Sequence, residues 1–302
     1  MLSLSEMALL RRSPAALPLL ASVAAGRPPF MALDRLVPRA GYAVQPGIAY
    51  GADPRQKLDL YRPEGRPEGR PEGRREPLPV AVFLYGGGWN SGERENYRFV
   101  GQALAGRGYL AVLPDYRLYP QVRFPAFVED AAAAVAWARA HAARHGGDPG
   151  RIVLLGHSAG AHIAALLAAD ARWLGAAGVP RAALCAMVGL AGPYAFNPLD
   201  YGRTRAIFEG LADIDRARPI AAVDGGAPPV LLLHGLRDDT VRPEQSALFA
   251  RRIESAGGTV RAVTYSGLGH IGIVLALAAP FQAMAPVLDE ADRFIAAAAG
   301  SP

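Results

Sequence analysis

The chain has 302 residues, 51% of them apolar and 20% charged, with a formal net charge of +5. A folded protein of this mass exposes roughly 12,000 Å² against about 46,000 Å² unfolded, so about three quarters of its surface is buried around a sizeable core. That composition excludes disorder throughout, and no uncharged apolar run reaches the roughly 18 to 20 residues of a membrane-spanning helix, so stable membrane insertion is not expected.

The charge is unevenly placed. Residues 1–75 hold 12 Arg or Lys against 7 Asp or Glu, whereas residues 76–302 hold 20 of each. Basicity therefore precedes the main body, and nucleic acid is not an expected partner. The single cysteine, Cys185, sits in the apolar stretch Ala182–Val188 and is expected to be a buried packing residue. No Cys/His group has zinc spacing, so no metal and no cofactor are expected.

In chain order, residues 1–45 form a lead-in. Arg11-Arg12, the apolar Ala15–Ala25 and small residues at Ser22 and Ala24 resemble an export signal, which would place the protein in the periplasm rather than the cytoplasm. Pro14 and Pro18 interrupt it, Met31 is an alternative start, and a badly ordered tail or an amphipathic lead-in helix is the alternative reading. The catalytic domain is expected over 46–302. Within it, 62–75 repeat RPEG three times, and a Pro and Gly in every four residues predict an extended surface loop. Strands are predicted at Pro79–Tyr85, Leu110–Leu113, Arg151–Leu155, Ala182–Val188, Val230–His234 and Val260–Tyr265. Helices are predicted at Asn96–Gly106, Phe124–Arg144, Ser158–Asp170, Pro243–Ala256 and Pro286–Ala299. Short apolar strands alternating with helices define an α/β fold, with a mostly parallel central sheet and helices on both faces.

Gly156-His157-Ser158-Ala159-Gly160 falls between a predicted strand and a predicted helix. A serine there sits on a tight, strained turn with small neighbours, exposed for attack, and the helix start behind it favours developing negative charge. The bland alternative is a Gly-rich turn with a capping serine. A serine hydroxyl needs a base, and the base an orienting acid. Of six histidines, His157 lies inside the turn and His162 one helical turn beyond it. His141 and His145 end a helix, and His234 closes a strand. His270, in the Gly-rich loop before the last helix, is the expected base. Two carboxylates, Asp238 and Asp239, follow the strand 230–234; Asp238 is the expected acid. The three glycines of Tyr85-Gly86-Gly87-Gly88-Trp89 end the first strong strand, where backbone N–H groups free of Cβ interference can turn toward a shared point and bind an oxyanion together with that of Ala159. Arg117 and Asp130 read as a structural pair.

At these residues the chain resembles the α/β-hydrolase fold, in its hormone-sensitive-lipase-like and bacterial carboxylesterase group. The resemblance runs from about Ala49 to Phe294 and includes Leu58-Asp59-Leu60-Tyr61 and Asp115-Tyr116-Arg117-Leu118. It implies a cofactor-free serine esterase with Ser158 as nucleophile, His270 as base, Asp238 as acid and Gly87, Gly88 and Ala159 as oxyanion donors, acting on a small-molecule ester. The family commonly has His before the glycines, where this chain has Tyr85; that histidine holds the glycine loop, and the phenol is a candidate to replace it. Gly160-Ala161-His162 also resembles kynurenine formamidase, which keeps an amide substrate open. Residues 192–228 are a candidate small cap, and Trp89, Tyr194 and Phe196 are candidate pocket aromatics. The leading expectation is hydrolysis of short- to medium-chain acyl esters through an acyl-enzyme. The alternatives are an amide hydrolase and a catalytically silent binding protein.

Overall fold

A computed structural model describes Leu33 and residues 37–64 and 76–299 of the chain. The expected export segment and most of the RPEG repeat lie outside the described residues. Among those described, strands β1 (Tyr42–Ala49), β2 (Lys57–Pro63), β3 (Leu78–Leu84), β4 (Leu110–Pro114), β5 (Gly147–His157), β6 (Leu184–Leu190), β7 (Val230–Gly235) and β8 (Val260–Tyr265) form one sheet. Their order is β1-β2-β4-β3-β5-β6-β7-β8. β2 runs against both of its neighbours, and the strands from β3 to β8 are mutually parallel.

The central strands read as apolar runs because both of their faces are covered. Val80–Leu84, Ile152–Leu155 and Val230–Leu233 are buried along their lengths. Cover comes from α1 (Arg98–Gly106), α2 (Ala126–His141), α3 (Ala159–Ala169), α4 (Ala171–Ala176), α5 (Gly202–Phe208), α6 (Glu244–Ser255), α7 (Gly272–Leu275) and α8 (Val287–Ala298). Arg107, just past α1, pairs with Asp289 and Asp292 of α8, and Tyr109 donates to Asp292 at 2.7 Å. The end of the chain is thereby fastened to an early helix.

Predicted and observed elements agree closely from β3 onward; β8 coincides with the predicted strand. The two N-terminal strands differ from expectation. β1 carries Pro46 and Gly47, bulges between Gln45 and Ile48 and is largely exposed, so it shows no apolar alternation. The first Arg-Pro of the RPEG repeat, expected in a loop, completes β2 by pairing Arg62 and Pro63 with Ala43 and Tyr42. This is tolerated because pairing of β2 with β4 has already ended at Tyr61. Cys185 is half-buried rather than buried, near the amino end of β6, with its thiol directed to the carbonyl of Ile152 at 3.3 Å. Burial pushes that thiol up from its ordinary range. No described helix is long and apolar enough to cross a membrane.

Candidate active site

The strand order reverses at β3, which has β4 on one side and β5 on the other. Loops leaving the carboxyl ends of such strands diverge and open a crevice between them. The glycine run after β3 and the serine turn after β5 emerge there side by side. Ser158 has φ 54° and ψ −120°, a left-handed backbone that costs a non-glycine residue about 1–3 kcal/mol. The surrounding backbone holds it: Ser158 N–H donates to Leu190 O at 2.9 Å, and Ala191 N–H to Leu233 O at 3.0 Å. A Cβ on Gly160 would lie 2.0 Å from Leu84 O, so only glycine lets α3 begin against the end of β3.

Ser158, His270 and Asp238 are brought together by the ends of three different strands. His270 Nε2 is 2.8 Å from Ser158 Oγ, and its Nδ1 is 2.7 Å from Asp238 Oδ2. Since a carboxylate only accepts, Nδ1 carries the proton, leaving Nε2 free to accept the serine's. Asp238 and His270 are 5% and 8% exposed, whereas Ser158 is reached by solvent. Burial alone would raise the Asp238 carboxyl. Hydrogen bonds from His234 and His270, the charge of His270 and the Val241 N–H outweigh it and hold the carboxyl well below the usual range. Asp239, the alternative acid, points to solvent beside Thr240.

The glycine loop stands directly over the serine; a Cβ on Gly86 would meet Ser158 Cβ at 3.0 Å. Gly87 and Gly88 have φ of 145° and 58°. The carbonyl of Gly87 closes the loop on itself, accepting from the N–H groups of Asn90 and Ser91 and from the Ser91 hydroxyl. Tyr85, at the position of the family's histidine, does not bond the glycines directly. Its ring stacks between Tyr116 and Tyr97, with centroids 4.6 Å and 5.6 Å away, and its phenol accepts from Arg55 Nη2 at 2.9 Å. Arg55 also donates to the carbonyls of Gly92 and Tyr116. One guanidinium therefore ties Tyr85, at the entrance of the loop, to Gly92, at its exit. Arg117 and Asp130 form the expected pair, a two-pronged contact.

The three candidate pocket aromatics separate. Trp89 and Phe196 stack at 5.8 Å with planes 3° apart, joined edge-on by His162 and Phe208. All three are buried, Trp89 at 3% and Phe196 at 8% exposure, and Tyr194 packs apart from that stack against Phe249 of α6, with centroids 4.8 Å apart. The 192–228 segment contains α5 and two short 3₁₀ turns. It is stitched to α3 by His162 Nε2 donating to Ala217 O at 2.7 Å. His162 is wholly buried, which lowers it to about 4.

Two further buried histidines, to which the sequence assigned no role, contact the group formed by Ser158, His270 and Asp238. His157 Nε2 donates to the carbonyl of His270 at 2.9 Å, and burial, followed by the charge of His270, lowers it to about 3. His234 Nε2 lies 3.2 Å from Asp238 Oδ2. The four-residue spacing of His234 and Asp238 was the available signal. Among the described residues no group of three His, Cys, Asp or Glu side chains is arranged to hold a metal ion.

This sheet order, with a strained residue between β5 and α3 and functional groups on the loops after β7 and β8, is that of an α/β-hydrolase. The family model BD-FAE matches residues 58–253, and the chain belongs to that family. It is 30% identical over 260 residues to the probable isoprenylcysteine alpha-carbonyl methylesterase ICMEL1 of Arabidopsis thaliana, covering 77% of this chain and 52% of that protein. It is 33% identical over 246 residues to esterase LipC of Mycobacterium tuberculosis, covering 74% and 57%. The chain thus spans about half the length of the curated relatives it matches. Among solved structures, Thermogutta terrifontis esterase 2 phosphorylated by paraoxon superposes with a TM-score of 0.67 at 26% identity, covering 88% of this chain and 97% of that one.

Proposed function

We propose that the protein is a serine carboxylesterase acting on short- to medium-chain acyl esters, with residues 46–302 as its catalytic domain and 192–228 as a small cap. The observation that carries this reading is the unbroken relay from Ser158 Oγ through His270 to Asp238, at 2.8 Å and 2.7 Å, on a strained turn. His270 takes the serine proton as Oγ attacks the acyl carbon. The resulting oxyanion lies against the N–H groups of Ala159, Gly87 and Gly88. Asp238 stabilises the imidazolium, which returns the proton to the departing alcohol; water then repeats the sequence and frees the acid. Esterase names among the relatives, and the paraoxon adduct of the Thermogutta enzyme, support the same chemistry.

The test compares wild type with Ser158→Ala on p-nitrophenyl acetate, butyrate, octanoate and palmitate, with N-formylkynurenine in the same series. Turnover of the short esters that disappears in the variant, together with inactivation of wild type by paraoxon, is expected. Preference for the formamide would move the reading to an amide hydrolase. Full activity in Ser158→Ala would remove Ser158 from the mechanism, and no turnover of any substrate would favour a binding role.

A further inference from the structure

His234 occupies the end of β7, with no solvent exposure. Its Nε2 faces two acceptors, Asp238 Oδ2 at 3.2 Å and Val241 O at 2.9 Å. A carboxylate and a carbonyl cannot donate, so Nε2 must hold the proton and share it between them. In the neutral ring Nδ1 is then an acceptor, and the hydroxyl of Ser246 on α6 stands 2.7 Å from it. Ser246 is itself buried at 3% exposure, so water is not available to replace it. The other oxygen of the same carboxylate, Asp238 Oδ1, accepts from the N–H groups of Thr240 and Val241 at 3.0 Å and 2.8 Å. Oδ2 is left to the two imidazoles, His270 and His234.

We propose that His234 is a positioning residue for the acid of the triad, and that Ser246 fixes the tautomer in which it works. The inference rests on Asp238 and His270 being the acid and base. His234 limits how far Asp238 Oδ2 can swing, so the carboxylate meets His270 Nδ1 in one geometry. It also sets the strength of that carboxylate as an acceptor. A donor on Oδ2 spreads its charge; without that donor the carboxylate binds the His270 proton more tightly, and the imidazolium becomes harder to deprotonate. The sign follows: losing the donor moves the acid limb of the pH–rate profile to higher pH. Ser246 acts in the same direction at one remove, since a donor on Nδ1 strengthens donation from Nε2.

The other titratable group facing His270 is His157, from the end of β5, with ring centroids 4.9 Å apart. Burial keeps it neutral, at about 3, so it contributes no titration over the pH range of the acid limb. Asp238 faces His270 and His234 directly, and the neutral His157 lies within its electrostatic reach.

The experiment records kcat/KM for p-nitrophenyl butyrate from pH 5 to 9 in full-length wild type, His234→Leu, His234→Gln and Ser246→Ala. Active sites are counted by the paraoxon-released burst. In His234→Leu the acid limb should rise by roughly half to one unit, with kcat reduced about tenfold or more and KM little changed. Gln places an amide donor near the position of Nε2, so His234→Gln should return the limb to the wild-type position. Ser246→Ala should move it upward by a few tenths of a unit. A purely structural histidine would instead lower the count of active sites and leave the limb where it was. If His234→Leu does not fold, Ser246→Ala and His234→Gln decide: an unshifted limb in the former, or a shift in the latter as large as that expected for Leu, overturns the proposal. Ser158→Ala is measured in parallel. Activity that survives there refutes the triad itself, whereas a dead Ser158→Ala with pH-invariant His234 variants refutes only the role of His234.

Discussion

Removing the hydroxyl of Tyr85 while keeping its ring tests how this chain holds its glycine loop, the proposed oxyanion site, without the family's histidine. Tyr85→Phe retains the stacks on Tyr116 and Tyr97 and loses one hydrogen bond from a charged donor. Such a bond contributes about 1.5–3 kcal/mol when fully buried. The Arg55 side chain is 32% exposed, so water recovers part of it and a loss of about 1 kcal/mol is expected. For a protein of this size that lowers Tm by about 1–2 °C. Arg55→Ala removes the bonds to Gly92 and Tyr116 as well, and should cost roughly 2–4 kcal/mol. Misplacing a single oxyanion donor costs on the order of a hundredfold in turnover. In Tyr85→Phe the tie from Arg55 to Gly92 survives, so kcat should fall by less than about tenfold; in Arg55→Ala it should fall about ten- to a hundredfold. KM should change little in both, because the donors act on charge that develops in the transition state. Steady-state kinetics on p-nitrophenyl butyrate and a thermal melt read all of this. Arg55→Ala with wild-type kcat would refute the clamp, and the loop would then be held by its own turn on Gly87 O.

Asp238→Asn should lower kcat by about 10³–10⁴ through the wrong histidine tautomer, while Asp239→Asn stays within about twofold; equal effects would reopen the choice of acid. Gly160→Ala drives a methyl group into Leu84 O and should destabilise the fold by about 3 kcal/mol or more, read as a lowered urea midpoint. His157 and His162 stay neutral when folded, at about 3 and about 4, but titrate near 6.5 when unfolded. The unfolded chain therefore binds more protons below pH 6.5, so stability is full above that value and declines as pH falls towards 4. The two together should cost about 4 kcal/mol between pH 7.5 and pH 5. Urea midpoints that do not move over that interval would show that one or both rings charge in place.

The sheet from β3 to β8 was legible because doubly covered strands are written as short apolar runs separated by turns. Ser158 was legible for a local reason, since the elbow needs small residues within two positions of the nucleophile. His270 emerged by eliminating histidines with other local explanations, and Asp238 from its place after β7. β1 and β2 were missed as strands because an exposed, bulged strand and a strand with a buried Asp59 break the pattern. Asp59 is accommodated by the Gly47 N–H and Arg94, and neither partner is foreshadowed by spacing. The supports of the site were illegible for the same reason. Arg55 reaches Tyr85 across 30 residues and Ser246 reaches His234 across 12, distances at which sequence carries no contact signal. Tyr194 was equally ambiguous, because a core aromatic and a pocket aromatic look alike until the neighbouring helix is in place.

Trp89, Ser158 and Ala191 are the non-glycine residues with positive φ among those described, at 59°, 54° and 51°. They sit just beyond the ends of β3, β5 and β6, where backbone bonds from Ser158 to Leu190 and from Ala191 to Leu233 lace one strand terminus to the next. The molecule's backbone tension is thus gathered at one end of the sheet and restrained by its rim. A rim that slackens gives these three residues an escape into ordinary conformations long before the interior melts. Solubility and far-ultraviolet ellipticity would then outlast the proposed chemistry, and a preparation that looks folded by either measure can already have lost the posture of Ser158.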